Sequence, residues 1–396
     1  MSRSAISTSL PQYIEDLSHD DDNDPSDQLQ TTLHESITRS LSSRRPLLTH
    51  LNADTTWLLS LPYPASAPGN NGKVYYHIVI DPWLRGGQSD VAKFFSQQWH
   101  VEESAVQSIA ELEDVVRGIE DAAQGRGQSA YPPAPSEPSS DSEDYEEVDT
   151  ETDPKPQILS HQADKSPIDA ILISHEFTDH MHKDTLLEAS SSIPVFASNK
   201  AASAIRSWKH FDFVAEIQRF EGDWRASSKS PLPSWIGVSR VAYPGQDLLY
   251  YHSAVMVTFP ASAKKDGEAE AVIYTPHGIS PDDLAPVAAA SPAIKTLALL
   301  HGLQDISLGA QLNMGAHNGL KVQRLLEAKY WIGTHDEVKK GGGIVSWFLD
   351  RKNISLKEAI EKEKEEKGEE LRGSAVEGLK KVRFEDLRNG ESLILE

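Results

Sequence analysis

Residues 174 to 182 read Ser-His-Glu-Phe-Thr-Asp-His-Met-His, which places three histidines and one aspartate within nine positions. Neutral imidazole and carboxylate are donors that suit Zn, Fe or Mn. The chain contains no cysteine, so a metal could be held only by His, Asp or Glu, and no disulfide can form. The same nine residues also read as a capped polar loop whose histidines bond backbone groups. On this stretch alone both readings stand.

The flanking segments say where such a loop would sit. IDAILIS (168–174) has the composition of a buried strand, and KDTLLEAS (183–190) resumes in helical fashion. The cluster therefore occupies a strand-to-helix loop at a sheet edge, where α/β proteins commonly place chemistry. Asp179 and His180 are adjacent and cannot chelate like a helical i,i+4 pair, but a tight turn can aim both inward. Two distant segments repeat the pattern: VIYTPHGI (272–279) delivers His277 into a Pro/Gly turn, and KYWIGTHDE (329–337) ends a strand at His335. A histidine directly after a strand end occurs three times, and three such loops meeting at one edge form a constellation. Asp81 and Asp305 are expected to buttress these loops through backbone capping. His182 is expected to be exposed, or to support a ligand through a hydrogen bond.

The elements that must position these residues are mostly strands. Further β-rich runs cover 47–61, 73–84, 193–198, 211–220, 235–243, 248–260, 269–276 and 294–300. Several alternate apolar and polar residues, and others are nearly continuous apolar runs, as in strands covered on both faces. Val106, Ile109, Leu112, Val116 and Ile119 share one helical face, as do Val322, Leu325 and Leu326. Many strands with interspersed helices predict one large α/β domain of mixed sheets with helices outside.

With 38 basic and 60 acidic residues the net charge is −22, which argues against general affinity for nucleic acid. The acids concentrate at 15–27 and 132–155, and the latter lies within a Pro/Ser/acid-rich stretch, about 121–166, read as a disordered insertion. Such segments could engage a basic partner protein. Residues 357–373 carry the i,i+4 pairs Glu358/Lys362 and Glu363/Lys367 and predict a solvated helix with little packing value. There is no run of about 18 apolar residues, so no membrane helix is expected. The N-terminus lacks the apolar stretch of a secretory signal, and the expected compartment is the cytoplasm.

Ser-His-x-x-x-Asp-His after an apolar strand resembles the His-x-His-x-Asp-His motif of the metallo-β-lactamase superfamily. The flanks resemble it too. HLNADTTWLL (50–59) is similar to the opening strand, VIDPWLRGG (79–87) to the Asp-Pro turn of lactonase-like and phospholipase-D-like relatives, and NMGAHNGLKVQRLLEAKYWIGTHDE (313–337) to the helix and strand before the last ligand. The likeness is strongest to a branch common in fungi. It implies an αββα sandwich over about 46–350, preceded by an acidic segment (1–45) and followed by a charged helical extension (351–396). It implies metal ligands at His175, Asp179, His180, His277 and His335, with His175 and Asp179 also catalytic. Phe177 stands where the motif has its second histidine, and no histidine follows the strand at 235–243. The resemblance therefore implies one divalent ion, most simply Zn, with Mn or Fe as alternatives. It would serve hydrolysis of a small ester, lactone or phosphodiester. The rival implication is an inactive enzyme-like scaffold that binds partners.

Overall fold

The computed structural model describes residues 43–65, 67, 72–89, 96–125, 165–242, 251–261, 267–342, 350–367 and 383–396. Seven strands form the first sheet, in the order β18 (Ser392–Ile394), β1 (Leu47–His50), β2 (Trp57–Pro62), β3 (Tyr75–Ile80), β5 (Ala170–Ile173), β6 (Val195–Ala197) and β7 (Val214–Glu216). Six form the second: β17 (Arg383–Glu385), β14 (Tyr330–Ile332), β11 (Ile294–His301), β10 (Ala269–Thr275), β9 (Ala254–Pro260) and β8 (Gly237–Val241). Small accessory sheets join β4 (Gln97–Trp99) to β15 (Lys340–Gly342), and β12 (Gln304–Ser307) to β13 (Gln311–Asn313) and β16 (Asp350–Asn353). Every β-rich run read from the sequence contains a strand.

Alternation along the strands shows how the layers stack. Ile78 and Ile80 of β3 share a core with Leu59, Leu172, Val257, Val272, Leu300 and Ile332, which belong to both sheets. Their neighbours Tyr75 and Val79 instead face Ile109, Leu112 and Val116 of the helix Ile109–Ala123, together with Ala201 and Ile205 of the helix Asn199–Trp208. On the far side, Met256, Ile273 and Leu299 pack against Val322 and Leu326 of the helix Ala316–Leu326. Period-two alternation thus sends one set of side chains between the sheets and the other beneath helices. The result is an αββα sandwich of two mixed sheets flanked by helices.

The C-terminal edge departs from expectation. Among the described residues of 351–396 the helix covers Leu356–Lys367, and β17 and β18 complete the two sheets by pairing with β14 and β1. These strands are three residues each, too short and too polar to announce themselves by pattern. The helix Leu356–Lys367 does pack: Ala359 is fully buried and Glu363 pairs with Arg324. The expected insertion lies largely outside the described residues, but its margins belong to the domain. The helix Ile109–Ala123 runs into it, and Ser166 donates to Glu113 at 2.6 Å. Of the N-terminal segment, residues 43–45 are described, and Arg45 clamps Glu270 of β10 at 2.8 Å.

Glu120 ties that helix to β3. Its carboxylate accepts the N–H groups of Val74 and Tyr75, each at 2.8 Å, and faces His77 Nε2 at 3.1 Å. Burial alone would raise its pKa, but His77 and the two N–H donors outweigh that and lower it from 4.5 to about 2. The folded-state value lies below the unfolded one, so the carboxylate contributes stability above pH 4.5 and loses it as pH falls through 2. Glu120→Gln is expected to cost about 1–3 kcal/mol at pH 7 and to flatten the fall in stability on acidification. Urea unfolding at pH 7 and pH 3.5 checks this, and parallel losses in both proteins would contradict it.

Candidate metal centre

β5 and β10 are central strands of opposite sheets; β5 is parallel to both β3 and β6, while β10 is parallel to β11 and antiparallel to β9. Their carboxyl ends lie together, so the loops after β3, β5, β10 and β14 converge. After β5, the Phe177 carbonyl accepts the N–H groups of both His180 (2.9 Å) and Met181 (2.8 Å). That turn aims Asp179 and His180 inward together. After β10, Gly278 adopts φ +80°, and a Cβ there would meet Met314 Cβ at 2.6 Å. Only glycine lets the His277 loop approach Met314 so closely. After β14, His335 itself takes φ +59°, as Asp81 takes φ +46° after β3. Left-handed backbone in non-glycine residues costs roughly 1–2 kcal/mol each; of the five such residues described, Asp81 and His335 sit at the cluster.

Two donor groups share His180. The ligand atoms of His175, His180 and His277 lie within 4.8 Å of one another, and so do those of Asp179, His180 and His335. All five residues expected from the sequence are therefore brought together, and all are buried. Phe177 lines the cluster with its ring 4.8 Å from that of His175 and 5.9 Å from that of His277. His252 Nε2 donates to the Leu312 carbonyl at 3.0 Å. His182 is buried rather than exposed: it caps the helix Lys183–Glu188 by accepting from the Thr185 N–H. Asp305 caps as expected, accepting from the Gly315 N–H at 2.9 Å.

The supporting hydrogen bonds decide where the imidazole lone pairs point. His180 Nδ1 lies 2.7 Å from Asp81 Oδ2, a carboxylate that also accepts from the Ser174 N–H and Oγ. That nitrogen must donate, which leaves the Nε2 lone pair facing the cluster. Asp81 is thus more than a cap. His277 Nδ1 donates to Asn313 Oδ1 at 2.6 Å, and His335 Nδ1 to Asp54 Oδ1 at 3.0 Å, with the same consequence. His175 is the exception, since its Nδ1 accepts the Phe177 N–H at 3.2 Å. In the neutral ring its proton then resides on Nε2, which becomes a donor.

Nε2 of His175, His180 and His277 is buried without a hydrogen-bond partner within the protein. Leaving a buried polar atom unpaired costs about 1–3 kcal/mol, and the three histidines that carry these atoms belong to one donor group. Burial, then His180 and His277 as neighbours, holds His175 well below the ordinary imidazole pKa; burial and the rings of His335 and His180 do the same to His277. At His180, burial is outweighed by Asp179 and Asp81, so its pKa rises. The surrounding carboxylates favour a cation at this nitrogen, and a metal ion would satisfy them as a proton would. The donor set of nitrogen and oxygen atoms with free lone pairs fits a divalent ion.

Sequence reasoning missed Asp54 and Lys339. Asp54 lies in a loop built by Asn52, whose Oδ1 accepts the N–H groups of both Asp54 and Thr56. Lys339 Nζ reaches Asp54 Oδ2 at 2.6 Å and Asp179 Oδ2 at 2.9 Å. Burial raises the cost of both charges, yet Lys339 and then His335 hold Asp54 well below the usual carboxylate range. Burial likewise opposes the charge on Asp179, but Lys339 and His180 outweigh it and depress its pKa strongly. Two surface clefts, one lined by Arg45, Glu270, Lys295 and Lys329 and one by Arg44, Tyr63 and Trp235, contain none of the cluster residues. Glu270, Lys295 and Lys329 lie at the opposite ends of β10, β11 and β14, away from the converging loops.

No family model and no curated protein matches the chain. Among solved structures it is similar to a possible metal-dependent hydrolase from Veillonella parvula DSM 2008, at 13% identity over 89% of this chain and 100% of that one, with a TM-score of 0.46. It is also similar to a metallo-β-lactamase fold protein from Bacillus subtilis (11%, 88% and 99%, 0.41). A third is a long-form RNase Z from yeast (10%, 89% and 41%, 0.42). The expected exclusion of nucleic acid finds no support in these likenesses. No helix among the described residues is long and apolar enough to cross a membrane. The chain is an αββα sandwich with a buried His/Asp cluster where strands of both sheets end.

Proposed function

We propose that the chain is a metal-dependent hydrolase that works with one divalent ion, Zn being the simplest occupant, on a small ester, lactone or phosphodiester. The observation that carries this reading is the set of inward-facing Nε2 atoms on His180, His277 and His335, each fixed by Asp81, Asn313 or Asp54 at its other nitrogen. Such outer partners fix the tautomer of a metal-binding imidazole and raise its basicity. His180, His277, His335 and Asp179 would hold the ion. Bound there, it would supply Lewis acidity and a water acidified to a pKa of about 7.

The remaining roles belong to the chain. Asp179, stabilised by Lys339, is a poor base, so it serves to hold the ion and orient water rather than to take a proton. His175 presents Nε2–H and donates to an oxygen that gains charge in the transition state. Phe177, whose ring centre lies 5.7 Å from that of Tyr251, gives the substrate an apolar wall. His175→Gln is expected to lower turnover about 10²-fold with metal content unchanged. Loss of the metal in that variant would instead make His175 a ligand.

A binding scaffold is the second reading, and Phe177 favours it by denying the cluster a histidine. Turnover of a chromogenic ester, a simple lactone and a chromogenic phosphodiester separates the two. The hydrolase reading expects activity on at least one, lost on chelation and restored by Zn or Mn. No turnover on any by metal-loaded protein would leave the scaffold.

A further inference from the structure

Lys339 lies four residues beyond His335, yet its side chain turns back into the cluster and is only 5% exposed. Its Nζ is 2.6 Å from Asp54 Oδ2, 2.9 Å from Asp179 Oδ2 and 3.5 Å from His335 Nδ1, and it lies 5.4 Å from the centre of the Trp83 ring. Two carboxylates and an aromatic face have replaced the hydration shell of an ammonium. In the hydrolytic roles above this group enters solely as the cation that stabilises Asp179.

Its place is that of a cation within a cation site. Asp179 is shared: Oδ2 contacts Lys339 while Oδ1 lies 3.7 Å from His180 Nε2. A carboxylate bridging two positive centres is how two-ion sites are commonly built. The charges agree. Asp54 and Asp179 contact the Lys339 ammonium and Asp81 faces His180; three buried carboxylates against one ammonium leave two negative charges. One divalent ion cancels them, whereas two would leave an uncompensated excess of positive charge, which burial penalises.

We propose that the Lys339 ammonium permanently occupies the second cation position of this centre, bridged by Asp179 to the exchangeable ion, so that the chain takes up one divalent ion rather than two. Lys339 is a positioning residue. It fixes the free oxygen of Asp179 towards His180 and contributes a positive charge that no chelator removes. The inference rests on the metal-hydrolase reading for the first ion, and the test separates the two.

The full-length chain and Lys339→Ala are stripped with chelator, exposed to excess Zn²⁺, desalted and analysed for metal by emission spectroscopy. Melting temperature is recorded before and after loading. One ion per chain in the unsubstituted protein and two in Lys339→Ala is the expected result, with a larger metal-induced gain in melting temperature for the variant. One ion in both with equal gains, or two in the unsubstituted protein, would overturn the proposal. Should Lys339→Ala fail to fold without metal, refolding in excess Zn²⁺ is expected to recover it while sodium chloride does not, and no recovery with Zn²⁺ would overturn the proposal. No ion in the unsubstituted protein but one in Lys339→Ala would reject the hydrolase reading and uphold the place of Lys339. No ion in either would reject both.

Discussion

His180→Ala is expected to abolish divalent-metal binding and to lower hydrolytic turnover by at least ~10³-fold, because the acidified water depends on the ion. No other residue belongs to both donor groups, so its loss breaks both at once. The fold should survive. Asp81 retains the Ser174 N–H at 2.7 Å and the Ser174 hydroxyl as donors, and removing the ring also removes an unpaired buried Nε2. The apo melting temperature is therefore expected to stay within a few degrees of the unsubstituted value while metal content falls to background. Retained metal with lost activity would move His180 from ligand to acid–base group.

Asp54→Ala is expected to carry the largest cost in stability, about 3–5 kcal/mol in the metal-free protein. The carboxylate is fully buried, pairs with Lys339 at 2.6 Å and accepts from His335 Nδ1 at 3.0 Å. Truncation leaves an ammonium with one carboxylate in place of two and an imidazole N–H with no acceptor. The same change frees the His335 ring to rotate, and losing such an outer partner typically weakens metal affinity 10–100-fold. Denaturant unfolding of chelated protein measures the first effect and metal titration the second. A loss below about 1 kcal/mol would show that the pair contributes little beyond its own desolvation.

The residues that became visible from sequence share one trait: each directly follows a strand whose composition is plain. His175 comes after AILI, His277 after AVIYT and His335 after YWI, each separated by one or two residues, and the strands are apolar enough to be read without alignment. The backbone accounts for the rest of that success, since parallel strands of one sheet place their carboxyl ends at one edge. Lys339 and Asp54 were illegible for the opposite reason. VKK in 338–340 reads as a charged loop; the Lys339 N–H bonds the Glu337 carbonyl, and β15 pairs with β4 from the next residue on. Lysine is rarely buried unless paired, and the partners come from loops more than a hundred residues away. His182 misled because burial beneath Trp83, with ring centres 6.1 Å apart, is a tertiary fact with no local pattern.

The strands at the C-terminus failed for a further reason. RFE and SLI are three residues long and carry charge or partial exposure, so neither has the alternation that marks a strand. They form because β14 and β1 present free edges, and pairing supplies what propensity does not. Mixed sheets with helices outside were legible from the many apolar runs and the four-layer arrangement from the resemblance alone, while the closing strands of each sheet were not legible.

Metal content of the purified, Zn-loaded chain tests the central claim most directly, measured beside the His180→Ala/His335→Ala double variant. The account predicts roughly one ion per chain in the unsubstituted protein and less than about 0.2 in the double variant, since ligand loss removes the binding free energy. Less than about 0.2 ion per chain in the unsubstituted protein, or equal content in both, would contradict it.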